Sequence, residues 1–429
     1  TASRGPPASF AGLGSLSLRS QLSRFAIFCS GMTNNSVSST VVARQLLRGN
    51  EIVEYPVVTV IDGHIASIHG HDSSEAASNA AGGDTVYQFP EALLVPSFLN
   101  IHVHGSAGFD VMEGTPEAML AVGTSLAGHG VGAYYPTTVT SSTEETLRAL
   151  DLIATAIEGT ADQESAVPLG IHLEGPFLSV AKRGVHPAAK LVPPSLALFD
   201  RFWQAARGHM RILTIAPELP GAEELIQHAH GLGVVCSMGH SDGTMAEAAS
   251  GYEAGALSAT HTFNAMRSLD HRNPGICAYV LDNPSLFAEI ICDGIHVDPA
   301  MVRLFYKAKG PEKTILITDG MAATGMPDGH YKLGDLDVDV DHGKCTSSGA
   351  PGVLAGSVLT MDKAVRNFSA FTGAGLAETA QLAARNPATL MGIDQQWGRL
   401  ETGREANFVA LSADGQLLQS FRAGRPLPG

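Results

Sequence analysis

Short apolar runs alternate with longer segments of helical periodicity over most of this chain. Eight runs read as buried strands: 93–104, 132–139, 168–174, 212–218, 234–240, 258–261, 286–293 and 314–319. Continuous apolar runs bounded by turn residues suit parallel strands covered on both faces. Helical spacing between them predicts helices at 116–129, 144–158, 222–232, 244–254 and 299–307, with two more at 360–372 and 376–386. Strands and helices in this order, filling 93–396, predict an α/β fold, a (β/α)8 barrel of the TIM type. The ends of the chain read differently. Two β-rich runs flank Asp62-Gly63 within 57–68, a hairpin signal, and 85–89 adds a strand-like piece. Similar pieces follow at 398–400 and 407–411, so 36–92 and 397–429 are expected to pair into one small β domain.

Composition narrows the function classes. The 429 residues are 44% hydrophobic, ample for a large core. A formal net charge of −15 argues against nucleic-acid partners and anionic membrane surfaces, so an anionic substrate needs a local cluster of positive groups. No apolar run approaches a membrane span. Five cysteines, an odd number with no CxxC pair, fit a reducing cytoplasm. The first 31 residues carry Arg4, Arg19 and Arg24, many serines and no acidic residue. That composition is transit-peptide-like, and the reading favoured is a disordered leader over 1–35 that stays outside the fold.

The chemistry gathers at the carboxyl ends of the predicted strands, the face where barrel enzymes place their active sites. These ends carry His102 and His104, His172 and Glu174, His240, His261, Asp293 with His296 nearby, and Asp319. The HxH pair alone is a weak signal, and His240 or His261 alone reads more often as a structural residue. On successive strand ends they form one cluster of imidazoles and carboxylates, donors that suit Zn²⁺ or Fe²⁺. Asp319 is then the candidate general base. Glu174 is followed by a Gly-Pro break and a basic loop ending on His186, a loop able to fold over the site.

The stretches HLEGPF (172–177), KRGVH (182–186), MGHSDGT (238–244), THTFNAM (260–266), HRNPG (271–275), DGIHV (293–297), ITDGMAATGMPDG (317–329) and LAGSVLTMD (354–362) stand in the order of one family. The chain resembles the N-acetylglucosamine-6-phosphate deacetylases of the amidohydrolase superfamily over most of 93–411. The resemblance implies a barrel with a small β-sandwich built from both termini, a homodimer, and hydrolysis of N-acetyl-D-glucosamine 6-phosphate to glucosamine 6-phosphate and acetate. It implies that Glu174, His240 and His261 hold the principal metal, with room for a second at His102 and His104. Asp319 would activate water and protonate the leaving amine, and His186 would polarise the amide carbonyl. Val185, Asn264, Ala265, Leu354, Ala355 and Gly356 would contact substrate. Arg272 and His296 would bind the phosphate, one of them from the neighbouring subunit. Strand one departs from the usual PGFID pattern, with Ser97 and Asn100 in place of glycine and aspartate, and Asn407 replaces an aspartate in the closing strand. Another N-acetylated amino-sugar phosphate, such as the galactosamine epimer, is the alternative substrate, and a barrel without catalysis the alternative class.

Overall fold

Each apolar run contributes a barrel strand, and several of these strands stop short of the polar residues that end their runs. The computed structural model describes residues 38–159, 164–350 and 352–427; the leader expected at 1–35 lies outside them. The barrel strands are β1 (Phe98–Val103), β2 (Val131–Thr138), β3 (Ile171–Glu174), β4 (Met210–Ile215), β5 (Val235–Met238), β6 (Ala256–Ala259), β7 (Phe287–Ile291) and β8 (Thr314–Ile317). Each pairs in parallel with the next. The ring closes just past the ends of β1 and β8. Asp319 N–H donates to His102 O (3.0 Å), and His104 N–H donates to Gly320 O (2.7 Å).

The run 93–104 is not one strand. Thr85–Pro96 lies in the terminal sheet, and β1 starts at Phe98. Ser97 is the crossing point: its N–H donates to Asn407 O, whereas Phe98 N–H donates to Gly130 O in the barrel. The terminal sheet joins Ser38–Arg48, Glu51–Glu54, Val57–Ile61, His64–His69 and Thr85–Pro96 to Phe408–Leu411, Leu417–Arg422 and Arg425–Pro426. Its hairpin turns at Asp62-Gly63, both at positive φ, as the sequence demands. It has its own core, including Val41, Leu46, Leu94, Phe408 and Phe421. The piece at 398–400 is loop rather than strand, although Leu400 is buried in that core.

Most expected helices form within a residue or two of their predicted bounds. Helices at Leu196–Ala205 and Gly275–Asp282 join them. The segment 376–386 breaks into Leu376–Ala383 and Arg385–Leu390, because Ala384 leaves helical geometry. A three-stranded antiparallel sheet follows β8: Gly329–Leu333, Leu336–Asp341 and Lys344–Ser347. Leu333, Val338, Val340 and Cys345 from this insert pack with Val139, Met321 and Ala355 at the mouth of the barrel. Asp335 of the insert accepts from Ser141 Oγ (3.0 Å) and Lys190 Nζ (2.6 Å), tying it to loops after β2 and β3.

Gly105 follows the second strand-one histidine where two backbones meet. An added Cβ would stand 2.3 Å from Phe109 O and 2.9 Å from Ala322 N. Gly105→Ala is expected to destabilise the protein by about 1–3 kcal/mol through overpacking. A urea midpoint unchanged from the native protein would show that the strand end has slack there.

Candidate active site and metal centre

Alternation along β1 sends His102 and His104 to the same side, toward the barrel axis. Glu174 is the last residue of β3. His240, His261 and Asp319 each stand two residues beyond the ends of β5, β6 and β8. All three have left-handed backbone, with φ of 48°, 28° and 53°. Such conformations cost a non-glycine residue of the order of 1–3 kcal/mol and persist where surrounding structure enforces them, often at functional sites. Here they turn three side chains inward just after the ladder ends.

Glu174 Oε1 lies 3.3 Å from His240 Nε2 and 3.3 Å from His261 Nε2, and the two nitrogens are 3.1 Å apart. A tetrahedral ion with ligands at about 2.0–2.1 Å separates them by about 3.3 Å, so this triangle fits a metal closely. His240 Nδ1–H donates to Lys182 O (3.0 Å), which leaves the Nε2 lone pair facing the triangle. A second set lies beside it. His104 Nε2 is 3.1 Å from Asp319 Oδ1 and 3.3 Å from Glu174 Oε2. His102 Nε2 is 3.5 Å from Asp319 Oδ1 and 3.6 Å from Glu174 Oε1. His104 Nδ1–H donates to Thr137 O (2.9 Å), so its Nε2 also offers a lone pair. The orphaned, fully buried His102 Nε2 points the same way.

His186 differs. Thr140 N–H donates to its Nδ1 (3.3 Å), so in the neutral ring Nε2 carries the proton. Although that nitrogen lies 3.7 Å from Glu174 Oε2, it is a donor rather than a ligand. His172 points elsewhere, with Nδ1–H on Ile101 O and Nε2 at 2.7 Å from Thr214 Oγ1. It is part of the hydrogen-bonded barrel interior.

Burial opposes charge on every group here, and neighbours decide the outcome. Burial would lift Glu174, but the charge of His102 and hydrogen bonds from His102, His104 and His240 hold its carboxyl well below the usual range. Burial would also lift Asp319, and the bond to His104 with the charges of His102 and His104 holds it low. Burial pushes His186 down to about 3, reinforced by His240, so its ring is neutral at pH 7. Burial would lower His104 too, yet Asp319 and Glu174 raise it to about 9. Without metal, His104 is therefore protonated at pH 7, and a cation held by its Nε2 must displace that proton. Loading zinc onto chelator-treated protein at pH 7 is expected to release about one proton from this residue, with affinity rising toward pH 9. Titration heats that do not change between buffers of different ionisation enthalpy would refute this.

The site opens into a cavity of about 240 Å³. Of the expected residues, His104, Glu174, Val185, His186, His240, His261, Asn264, Ala265, His296, Asp319, Leu354 and Gly356 line it. His102 is fully buried beneath, and Ala355 packs into the cluster under the insert. Arg272 is exposed on the loop after β6, away from the cavity of its own chain. Asn100 has its Nδ2–H₂ on Thr318 Oγ1 (2.7 Å), a neutral link between β1 and β8.

Asp293, expected at its strand end, holds His296 Nδ1 at 2.6 Å. Two contributors were not anticipated. Thr140 orients His186. Glu289, with no exposure, lies 3.2 Å from His102 Nδ1. Its signal was present in the sequence: one carboxylate inside the apolar strand FAEII.

The model of the amidohydrolase family matches residues 93–426. N-acetylglucosamine-6-phosphate deacetylase from Bacillus subtilis is 33% identical over 379 residues, 87% of this chain and 93% of that protein. N-acetylgalactosamine-6-phosphate deacetylase from Escherichia coli O157:H7 is 34% identical over 383 residues, 89% of this chain and 97% of that protein. A mutant N-acetyl-D-glucosamine-6-phosphate deacetylase from Mycobacterium smegmatis, solved with N-acetyl-D-glucosamine-6-phosphate, superposes with a TM-score of 0.84 at 31% identity. The match covers 91% of this chain and 99% of that one.

Proposed function

Because the chain belongs to the amidohydrolase family, among the N-acetylglucosamine-6-phosphate deacetylases, we propose that it hydrolyses N-acetyl-D-glucosamine 6-phosphate to D-glucosamine 6-phosphate and acetate. The observation that carries this reading is the Glu174–His240–His261 triangle at the floor of a cavity into which His186 presents a neutral N–H donor. Glu174, His240 and His261 would hold the principal divalent metal, zinc or iron by donor type, with His102 and His104 beside a second. When bound, the metal supplies a Lewis acid for water and for the developing oxyanion. Asp319, ionised at neutral pH, takes the proton of the attacking water and later delivers it to the leaving amine. His186 Nε2–H hydrogen-bonds the amide carbonyl and strengthens that bond as negative charge grows on the oxygen.

The phosphate needs positive partners in an acidic protein. Burial opposes charge on His296, but Asp293 overcomes it and raises its pKa, which favours an imidazolium facing the cavity. Asn264 and Ala265 stand beside it, with Val185, Leu354 and Gly356 around the sugar. A cytoplasmic homodimer belongs to this reading, with Arg272 of one copy reaching the phosphate in the site of the other. Arg272→Ala is expected to raise KM for the phosphorylated sugar by about 10–100-fold, the worth of a charge-assisted bond, with little change in kcat. A KM within twofold of native would remove Arg272 from the phosphate site.

Acetate release from N-acetylglucosamine, N-acetylgalactosamine and their 6-phosphates tests the whole reading. The glucosamine phosphate is expected to be the best substrate. The Escherichia coli relative keeps the galactosamine phosphate as the second reading, and faster turnover of that epimer would select it. No release from any of the four, with metal bound, would leave the non-catalytic barrel.

A further inference from the structure

Asp319 has left-handed backbone, at a φ of 53°, just beyond β8, and one residue holds the chain on both sides of it. Ser357 Oγ–H donates to Thr318 O (2.6 Å), and Ser357 N–H donates to Asp319 O (2.8 Å). Asp319 N–H donates to His102 O (3.0 Å), and Gly320 N–H donates to Thr318 Oγ1 (3.1 Å). Every polar group of the two peptide planes that meet at the Asp319 Cα is thus engaged, and Ser357 supplies both donors to their carbonyls. Ser357 is itself buried and held. Its carbonyl accepts from Met321 N–H (3.0 Å) and Thr324 Oγ1–H (3.3 Å), and its hydroxyl oxygen accepts from Leu359 N–H (3.0 Å). Just ahead of it, Val353, Leu354 and Gly356 line the cavity. Gly356 packs so near the base that an added Cβ would stand 3.2 Å from Asp319 O.

We propose that Ser357 is a positioning residue for the general base: it fixes the direction of the Asp319 carboxylate and ties that direction to the segment beside the sugar. The inference rests on the deacetylase reading, in which Asp319 takes the proton of the attacking water. The physical reason lies in the backbone. A non-glycine residue keeps left-handed geometry only where its surroundings enforce it, and relaxation to the extended or right-handed region would swing the side chain off the site. Two consecutive carbonyls that accept from one serine supply that enforcement. A base acts only within hydrogen-bond reach of its proton, and a misplacement of about 1 Å costs on the order of 100-fold in rate. A serine that merely anchored the chain leaving the insert would account for the bonds from Met321 and Leu359. It would not account for a hydroxyl and an N–H aimed at the carbonyls on either side of the base.

Ser357→Ala separates these readings, because it removes the hydroxyl bond to Thr318 O and keeps the main-chain bonds. Acetate release from N-acetyl-D-glucosamine 6-phosphate is measured for the full-length native protein, S357A, D319N and the double variant, all loaded with zinc. Thr324→Val serves as the control, since it loosens Ser357 at its own carbonyl and leaves the bonds to Thr318 O and Asp319 O in place. S357A is expected to lower kcat by about 10–100-fold, with KM, zinc content and near-ultraviolet dichroism as in the native protein. In the D319N background the same change is expected to alter the residual rate by less than about twofold, because no base remains to be aimed. T324V is expected to keep the native kcat. A kcat for S357A within about threefold of native overturns the proposal. So does an equal loss in both backgrounds, an equal loss in T324V, or loss of zinc or dichroism in S357A, each of which assigns Ser357 to structure. Native turnover tells the two readings apart. A native protein that releases acetate no faster than S357A defeats this inference alone. A native protein that releases none defeats the deacetylase reading, and this inference with it.

Discussion

Asp319→Asn is expected to lower acetate release by roughly 10²–10⁴-fold, the range for removing a positioned general base, while the first equivalent of metal stays bound. The amide cannot accept the proton of the attacking water. Little else should change. Asn tolerates the left-handed backbone that Asp319 adopts, at a φ of 53°. The seam bond from its N–H to His102 O belongs to the main chain and survives. The Glu174–His240–His261 triangle does not include Asp319. Turnover and metal content measured on one preparation decide the matter, and an unchanged rate would end the assignment. Because neighbouring imidazoles hold the Asp319 carboxyl far below its usual range, it is ionised throughout the physiological interval. Loss of rate between pH 8 and pH 6 must then come from another group, and proton competition for His104 is the expected one.

A larger effect is expected at Glu174. Its Oε1 serves His102, His240 and His261, and its Oε2 serves His104 and His186, at 3.3–3.7 Å. Glutamine at this position replaces one oxygen with a donor and deletes the charge that offsets a bound cation. Both clusters lose a member at once. Glu174→Gln should retain less than a tenth of an equivalent of metal after gel filtration, and acetate release should fall to background, below that of Asp319→Asn. Added zinc should not restore it. Retention of one tight equivalent with a rate within tenfold of native would show that the triangle is held by other donors.

Much of the barrel was legible because parallel strands covered on both faces must be apolar throughout, and polar residues then mark where each strand stops. The histidines and carboxylates of the site are those marks. Their convergence follows from topology alone, which explains how residues as distant as His102 and Asp319 could be grouped from sequence. The misreadings have equally physical causes. An apolar run does not show which sheet it belongs to, so the crossing at Ser97 was invisible. The insert after β8 carries LDVDVD, a half-exposed alternating strand that a search for continuous apolar runs passes over. Glu289 carries no strand-end mark, because its charge stands in the middle of β7. The tautomer of His186 depends on Thr140, close in space but 46 positions away in sequence, and no local pattern encodes it.

The crossing at Ser97 also bears on how the chain is made. Thr85–Pro96 pairs on one side with Ser38–Arg48, available at once, and on the other with Phe408–Leu411, roughly three hundred residues later. At synthesis rates of about 5–20 residues per second, that second edge waits for tens of seconds. During that time Leu93, Leu94 and Val95 present an apolar, unsatisfied edge to solvent, the kind of surface that can pair with another chain. All eight barrel strands precede Phe408–Leu411, the strand that closes this edge. Docking of the last strands is thus the step that closes this edge.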